Sequence, residues 1–245
     1  MKLDGKTAIV TGGASGIGRA TVLEFARAGA TVFSGDIDTD GGARVAGEAG
    51  ANASFLALDV ADPGAIETFA AAVLERAPTV DVVVNVAGWD RIEPFMDNEP
   101  EFWDRVVAIN LMGPVRVARA FLPAMIDGGA GKIVNVASDA GRVGSTGETM
   151  YAGAKGGVVA FTKSLAREMA RFRINVNCVC PGPTDTPLFK AQPEKMRAAL
   201  TKVIPFRRVA QPQEIANAIL FFASARADYI TGQVLSVSGG LTMVD

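Results

Sequence analysis

Tyr151 and Lys155 stand four residues apart in the stretch Thr149-Met150-Tyr151-Ala152-Gly153-Ala154-Lys155-Gly156-Gly157. On a helix that spacing puts both on one face, with small residues between them, so a phenol lies beside an ammonium. A free phenol titrates near pH ~10, too high to accept a proton at neutral pH, but a fixed positive charge nearby favours its ionised form. The pair reads as a tuned general acid/base, the alternative being an ordinary solvent-facing contact. Thirteen residues earlier, Ser138 closes the strand-like run Lys132-Ile133-Val134-Asn135-Val136-Ala137 and falls where open α/β sheets bind ligands, although strand-end serines also serve as turn or cap residues. The chain has no histidine, which removes Ser-His-Asp and Cys-His catalysis and most zinc sites. Proton chemistry is left to Tyr, Lys, Cys or carboxylates.

The elements that must position these groups alternate between strand and helix. Thr7–Thr11 is a β-branched run ending in Gly12-Gly13-Ala14-Ser15-Gly16-Ile17-Gly18, after which Val22, Phe25 and Ala26 recur at helical spacing. Glycines let the backbone approach a ligand, and the helix N-terminus adds partial positive charge, so the turn suits a pyrophosphate. Its spacing, Gly12-x3-Gly16-x-Gly18, differs from the GxGxxG fingerprint, and the alternative is a mere tight turn. The next strand, Thr31–Asp36, ends in an acid about 20 residues further on, where a carboxylate accepts hydrogen bonds from ribose hydroxyls and repels a 2′-phosphate. Asp36 therefore favours NAD over NADP, the alternatives being Asp38 or Asp40 in that place, or Asp36 as a simple turn or cap residue. Asp59, at the end of a third strand over 54–60, is a candidate acceptor for the adenine amino group or a cap, and Asp62-Pro63 opens a helix.

A fourth strand over 81–88 exits through Ala87-Gly88, leaving room for a flat ligand, and the loop Trp89–Pro94 follows. In the next helix Pro114 has no N–H, so the carbonyl of Asn110 must lack its helical partner; the reading is a kink with an open acceptor able to hold a water, the alternative being a plain proline kink. A sixth strand, Ile174–Val179, leads into Cys180-Pro181-Gly182-Pro183-Thr184-Asp185-Thr186-Pro187. Segment 188–205 is expected to be a substrate lid, the alternative being a cover for core. Pro212 opens a further helix, and Gln233–Val237 is the seventh strand. Cys178 and Cys180 are expected to face opposite sides of their strand as small, unpaired core residues.

Length and composition bound the rest. A chain of 245 residues with 49% apolar residues and a mean hydropathy of +0.25 reads as one α/β domain over 1–245 with buried strands, without linker, repeat or low-complexity tract. No uninterrupted apolar run is long enough for a bilayer, and a net charge of -2 with dispersed Lys and Arg gives no nucleic-acid patch. The N-terminus lacks signal-peptide features, so a cytoplasmic location is expected.

Taken together the motifs resemble the short-chain dehydrogenase/reductase family over essentially the whole chain. The matching residues are Thr11 to Gly18, Asp59-Val60, Asn85-Val86-Ala87-Gly88, Asn110, Ser138, Tyr151-x3-Lys155, Pro181-Gly182 and Tyr229-Ile230-Thr231-Gly232-Gln233. The resemblance implies a single-domain Rossmann-type doubly wound sheet of seven mostly parallel strands with helices on both faces. It implies that Tyr151 donates and accepts the proton, Lys155 lowers the Tyr151 pKa and binds the nicotinamide ribose, Ser138 positions the substrate oxygen, and Asn110 supports a water relay. It places NAD along Gly12, Ser15, Gly16, Ile17, Gly18, Asp36, Asp59, Val60, Asn85, Ala87, Gly88, Tyr151, Lys155, Pro181, Gly182, Thr184 and Thr186, with no metal. NADP-using members often carry an arginine where this chain has Ser15. A homotetramer is implied, with helices starting near Asn98 and Thr149 packing between subunits.

For the substrate, Ser138-Asp139-Ala140-Gly141-Arg142-Val143-Gly144 and Cys180–Thr186 are similar to the 2-hydroxycyclohexanecarboxyl-CoA dehydrogenases, which implies a small-molecule substrate in the form of a cyclic or β-hydroxyacyl-CoA thioester. The alternative within the family is 3-oxoacyl-carrier-protein reductase, or another alcohol or sugar dehydrogenase. The two arginines those reductases use to dock the carrier fall here on Gly129 and Phe172, with Arg173 adjacent. Arg91, Arg142 and Lys190 are candidates for CoA phosphates, or solvated charges. In a different class, the chain would be an NAD-binding sensor or scaffold, which needs none of Ser138, Tyr151 and Lys155.

Overall fold

The computed structural model describes residues 1–244. Seven strands form one sheet: β1 Thr7–Thr11, β2 Thr31–Asp36, β3 Ala53–Ala57, β4 Val82–Asn85, β5 Gly131–Val136, β6 Ile174–Pro181 and β7 Val234–Val237. Their order is β3-β2-β1-β4-β5-β6-β7, and every neighbouring pair is parallel. The connections are helical: α1 Gly16–Arg27, α2 Thr39–Ala49, α3 Pro63–Arg76, α4 Pro100–Val107, α5 Gly113–Asp127, α6 Ala140–Val143, α7 Thr149–Met169, α8 Pro187–Lys190, α9 Glu194–Val203 and α10 Pro212–Ala223. The chain reverses direction across the sheet between β1 and β4, where such sheets open a crevice at their carboxyl ends.

The period of two along each strand divides the core in two. Ala8 and Val10 of β1 join Val22 and Phe25 of α1 and Ile215 and Ile219 of α10 on one face; Ile9 joins Phe69 of α3 and Phe121 and Met125 of α5 on the other. Phe69 and Phe121 meet edge to face with ring centres 6.1 Å apart. Helix starts follow side-chain caps. Asp62 accepts from the Gly64 N–H (2.8 Å) with Pro63 in the first turn, and Asp38 accepts from the Gly41 N–H (2.9 Å). At α10, Glu214 reaches back to the Gln211 N–H (2.8 Å).

Three local expectations change. The helix carrying Asn110 is not simply kinked at Pro114: residues Ala108–Met112 form a π turn joining α4 to α5, in which the Gly113 N–H donates to the Ala108 carbonyl. The resulting continuous helix, Pro100–Asp127, is 28 residues long and its most apolar stretch has a mean hydropathy of 1.3. That length and composition would suffice for a bilayer, but Val117, Phe121 and Met125 are fully buried in the core. Cys178 and Cys180 share a face of β6, because residues two apart on a strand point the same way; their sulfurs lie 3.9 Å apart, both thiols free and buried. Finally, the third and fourth strands stop at Ala57 and Asn85, so Asp59, Val60, Ala87 and Gly88 stand just beyond strand ends, in irregular backbone.

Candidate active site

A cavity of about 620 Å³ opens along the carboxyl ends of the strands. At one end lie Gly12, Ser15, Gly16, Ile17 and Gly18. Ser15 is the N-cap of α1 yet its side chain caps nothing, and the first turn holds no acid, so the leading N–H groups face the cavity as uncompensated donors. Gly12 has φ +72, and a Cβ there would fall 2.8 Å from the Ala87 backbone, so only glycine brings β1 this close to the exit of β4. Those donors and the bare backbone fit a pyrophosphate.

Asp36 holds the turn as well as facing the cavity: one carboxylate oxygen accepts from the Ala14 N–H (3.0 Å) and the other from the Asp38 N–H (3.0 Å). Asp38 is committed to capping α2 and Asp40 is exposed, which leaves Asp36 as the acid at the cavity wall. Asp59 also lines the cavity while accepting from the Ala61 N–H (2.8 Å), with Val60 beside it. Ala87, Gly88, Pro181, Gly182, Thr184 and Thr186 complete this wall. Thr184 donates to the Gly182 carbonyl (2.9 Å), and Thr186 caps α8 through the Phe189 N–H (3.2 Å).

Asn85 is the exception. It is 2% exposed, stands behind the wall and donates to Asn135 (2.9 Å), which in turn donates to Thr162 of α7 (2.9 Å). Its place is in a buried chain tying β4 and β5 to the helix that bears Tyr151, because as the last residue of β4 it stands in register with Asn135 of β5 and its side chain is committed there.

Ser138, Tyr151 and Lys155 meet at the other end of the cavity. Lys155 is 2% exposed; its ammonium donates to the Val136 carbonyl (2.9 Å) and lies 5.6 Å from the centre of the Tyr151 ring. Burial pulls it down to about 8. Tyr151 moves opposite to the sequence expectation: burial raises its pKa, the negative charges of Glu148 and Asp90 add to the rise, and only the facing Ser138 hydroxyl works against it. The physical reason is that the Lys155 ammonium is turned to a backbone carbonyl and the phenol is surrounded by low dielectric and carboxyl groups. Tyr151 is thus held as a neutral phenol at neutral pH, a proton donor.

Asn110 is fully buried outside the cavity wall. Its side chain pins the loop after β4, accepting from the Trp89 N–H (3.2 Å) and donating to the Trp89 carbonyl (2.7 Å) and the Val106 carbonyl (3.0 Å). A Cβ on Gly88 would come within 3.0 Å of Asn110 Oδ1 and 3.4 Å of Lys155 Nζ, so Gly88 is the thin partition between them.

Sequence reasoning missed Glu148, which lines the cavity ahead of Tyr151, and Leu241 and Thr242, which close it from the end of the chain. It also passed over Asp90, whose carboxyl oxygens are buried without a hydrogen-bond partner and whose pKa burial raises to about 7. No local pattern marks any of them. Arg91 pairs with Glu93 (2.6 Å) and Lys190 with Asp185 (3.0 Å), while Arg142 is nearly buried. Segment 188–205 folds as α8 and α9, and Leu188, Phe189, Met196 and Leu200 add an apolar wall, with the amide of Gln192 among them.

Comparison with known proteins agrees with this geometry. The sequence model of a family described as enoyl-(acyl carrier protein) reductase matches residues 12–242. Three similar proteins carry the name 3-oxoacyl-(acyl-carrier-protein) reductase: that of Thermotoga maritima is 40% identical over 99% of this chain and 100% of its own length. Those of Vibrio harveyi and Escherichia coli are 41% and 38% identical, each over 100% of both chains.

Proposed function

The chain belongs to the short-chain dehydrogenase/reductase family and is a nicotinamide-dependent ketone/alcohol oxidoreductase, and from that premise we propose that it interconverts 3-oxoacyl and 3-hydroxyacyl thioesters with NAD(H). The observation that carries this reading is the convergence of Ser138, Tyr151 and Lys155 on one cavity with the uncapped N-terminus of α1 at its other end. The names of the similar proteins support the 3-oxoacyl group. Asp36 at the cavity wall supports NAD, since a carboxylate accepts from ribose hydroxyls and repels a phosphate there.

When bound, the cofactor supplies or receives the hydride. The chain's residues handle the oxygen and its proton. In reduction, Tyr151 gives its proton to the carbonyl oxygen as charge develops, and the Ser138 hydroxyl bonds that oxygen and holds it in place. Lys155, fixed to the Val136 carbonyl, keeps a positive charge near the tyrosinate that forms and binds the nicotinamide ribose. Asn110 anchors the loop at Trp89, and its own carbonyl, to which Pro114 has no N–H to offer, would support a water that reprotonates Tyr151. The segment 188–205 serves as a lid over the acyl chain.

A CoA thioester, cyclic acyl groups included, is the second reading for the carrier. The positions used to dock a carrier protein hold Gly129 and Phe172, and the neighbouring Arg173 donates its Nε–H to the Gly129 carbonyl (3.1 Å). The same reading carries homotetrameric assembly through α4 and α7 and a cytoplasmic location. The test is NADH consumption with matched acetoacetyl thioesters of CoA and of carrier protein. Turnover of neither, with a simple sugar or steroid ketone reduced instead, would overturn the thioester reading.

A further inference from the structure

Behind Ser138 lies a polar cluster that the chemistry above does not use. Asp139 is 4% exposed, and its N–H donates to the Pro181 carbonyl (3.2 Å). One carboxylate oxygen accepts from the Ser236 hydroxyl of β7 (2.7 Å), which also meets Ser238 (3.0 Å). Ser238 in turn accepts from the Thr242 N–H (3.2 Å). The other Asp139 oxygen is buried without a hydrogen bond and faces the Arg142 guanidinium at 3.8 Å. Arg142 has a side chain only 9% exposed and donates to the Val244 carbonyl (2.6 Å).

This cluster touches the site on three sides. A Cβ on Gly141 would lie 2.6 Å from the Gly156 nitrogen and 2.7 Å from the Lys155 carbonyl carbon, so α6 sits directly on α7 at the lysine. A Cβ on Gly182 would lie 2.8 Å from the Ser238 Cβ, which puts the residues just after β7 against the cavity wall at Gly182. Leu241 and Thr242, between Ser238 and the clamped Val244, line the cavity themselves. A buried guanidinium facing a buried carboxylate is costly to leave half-paired, so the two groups hold their place together.

We propose that Asp139 and Arg142 are positioning residues that clamp the C-terminal segment onto α6, fixing Ser138 on one side and the Leu241–Thr242 wall on the other as a single substrate-side surface. The proposal rests on the oxidoreductase reading of Ser138 for its kinetic consequence, but the clamp itself is independent of any substrate.

The test uses the full chain and its Arg142→Ala, Arg142→Lys and Ser236→Ala variants, compared by circular dichroism, carboxypeptidase digestion followed by mass, and steady-state kinetics. Arg142→Ala is expected to release Val244 and Met243 roughly tenfold faster and to raise KM for the acyl thioester about tenfold, with NAD affinity nearly unchanged. Arg142→Lys should restore part of both effects, and Ser236→Ala should shift KM in the same direction without unfolding the chain. Protection of the C-terminus in Arg142→Ala equal to that of the unaltered chain would overturn the clamp. Release of the C-terminus with KM and kcat unchanged would overturn its link to the site, as would equal losses in NAD affinity and substrate KM, which mark general loosening. If Arg142→Ala fails to fold, Arg142→Lys and Ser236→Ala decide on the same readouts. An unaltered chain that reduces no thioester would defeat the proposed function while the digestion still judges the clamp.

Discussion

Lys155 stands 5.6 Å from the centre of the Tyr151 ring and turns its ammonium to the Val136 carbonyl, not to the phenol. The resting site is therefore an acid: a neutral Tyr151 flanked by Glu148 and Asp90, whose negative charges oppose its ionisation. Their removal should make the phenol easier to ionise. For Glu148→Gln, the limb of kcat/KM that rises with pH in the oxidation direction should move to lower pH, by up to about one unit. An unmoved limb in a full pH profile would show that Glu148 does not tune Tyr151.

Asp90 makes stability pH-dependent in an unusual sense. Burial raises its pKa from 3.8 to about 7, so the folded chain binds this proton more tightly than the unfolded chain does. Its contribution is then fully present below the unfolded pKa and declines as pH rises through about 7, the reverse of a salt-bridged carboxylate. Urea unfolding of Asp90→Asn should give a smaller loss of stability between pH 5 and pH 8 than the unaltered chain. Parallel losses in the two proteins would contradict this.

Asp36 has two tasks, and its replacement should show both. In Asp36→Ala the Ala14 N–H loses its acceptor and the cavity wall loses the acid that disfavours a 2′-phosphate. Titration should find NAD binding weakened roughly tenfold and the margin between NAD and NADP reduced. Unchanged selectivity would assign the discrimination to another residue.

Gly88→Ala places a methyl 3.0 Å from Asn110 Oδ1 and 3.4 Å from Lys155 Nζ. The lysine cannot retreat without giving up the Val136 carbonyl. We expect kcat to fall by an order of magnitude or so with modest loss of stability, since a misplaced catalytic group costs more in rate than in folding. Wild-type kcat in a soluble, folded variant would show that the partition has slack.

Much of this arrangement was legible from the chain alone because its signals are local. Each strand is a short apolar run, the glycine turn follows β1 directly, and Tyr151 and Lys155 share a face by spacing. What the sequence hid depends on long-range packing. The Pro114 anomaly was visible, but the π turn it creates also requires the Gly113 N–H to reach Ala108. Asn85 shares a motif with Ala87 and Gly88, yet its side chain is committed to Asn135 of β5, which in turn donates to Thr162 of α7. The direction of the Tyr151 shift is set by Glu148, Asp90 and burial, and two of those three depend on where the loop after β4 folds. Asp139 and Arg142 were visible as charges, but their clamp needs β7 and the last residues of the chain beside them.

The central claim is that Tyr151 carries the proton, and Tyr151→Phe isolates it, since phenylalanine keeps the ring and loses only the hydroxyl. With acetoacetyl thioester and NADH, kcat should fall by about a hundred- to ten-thousandfold while NADH affinity, measured by titration, stays close to that of the unaltered chain. A Tyr151→Phe enzyme that binds NADH and reduces the thioester at the unaltered rate would contradict the account.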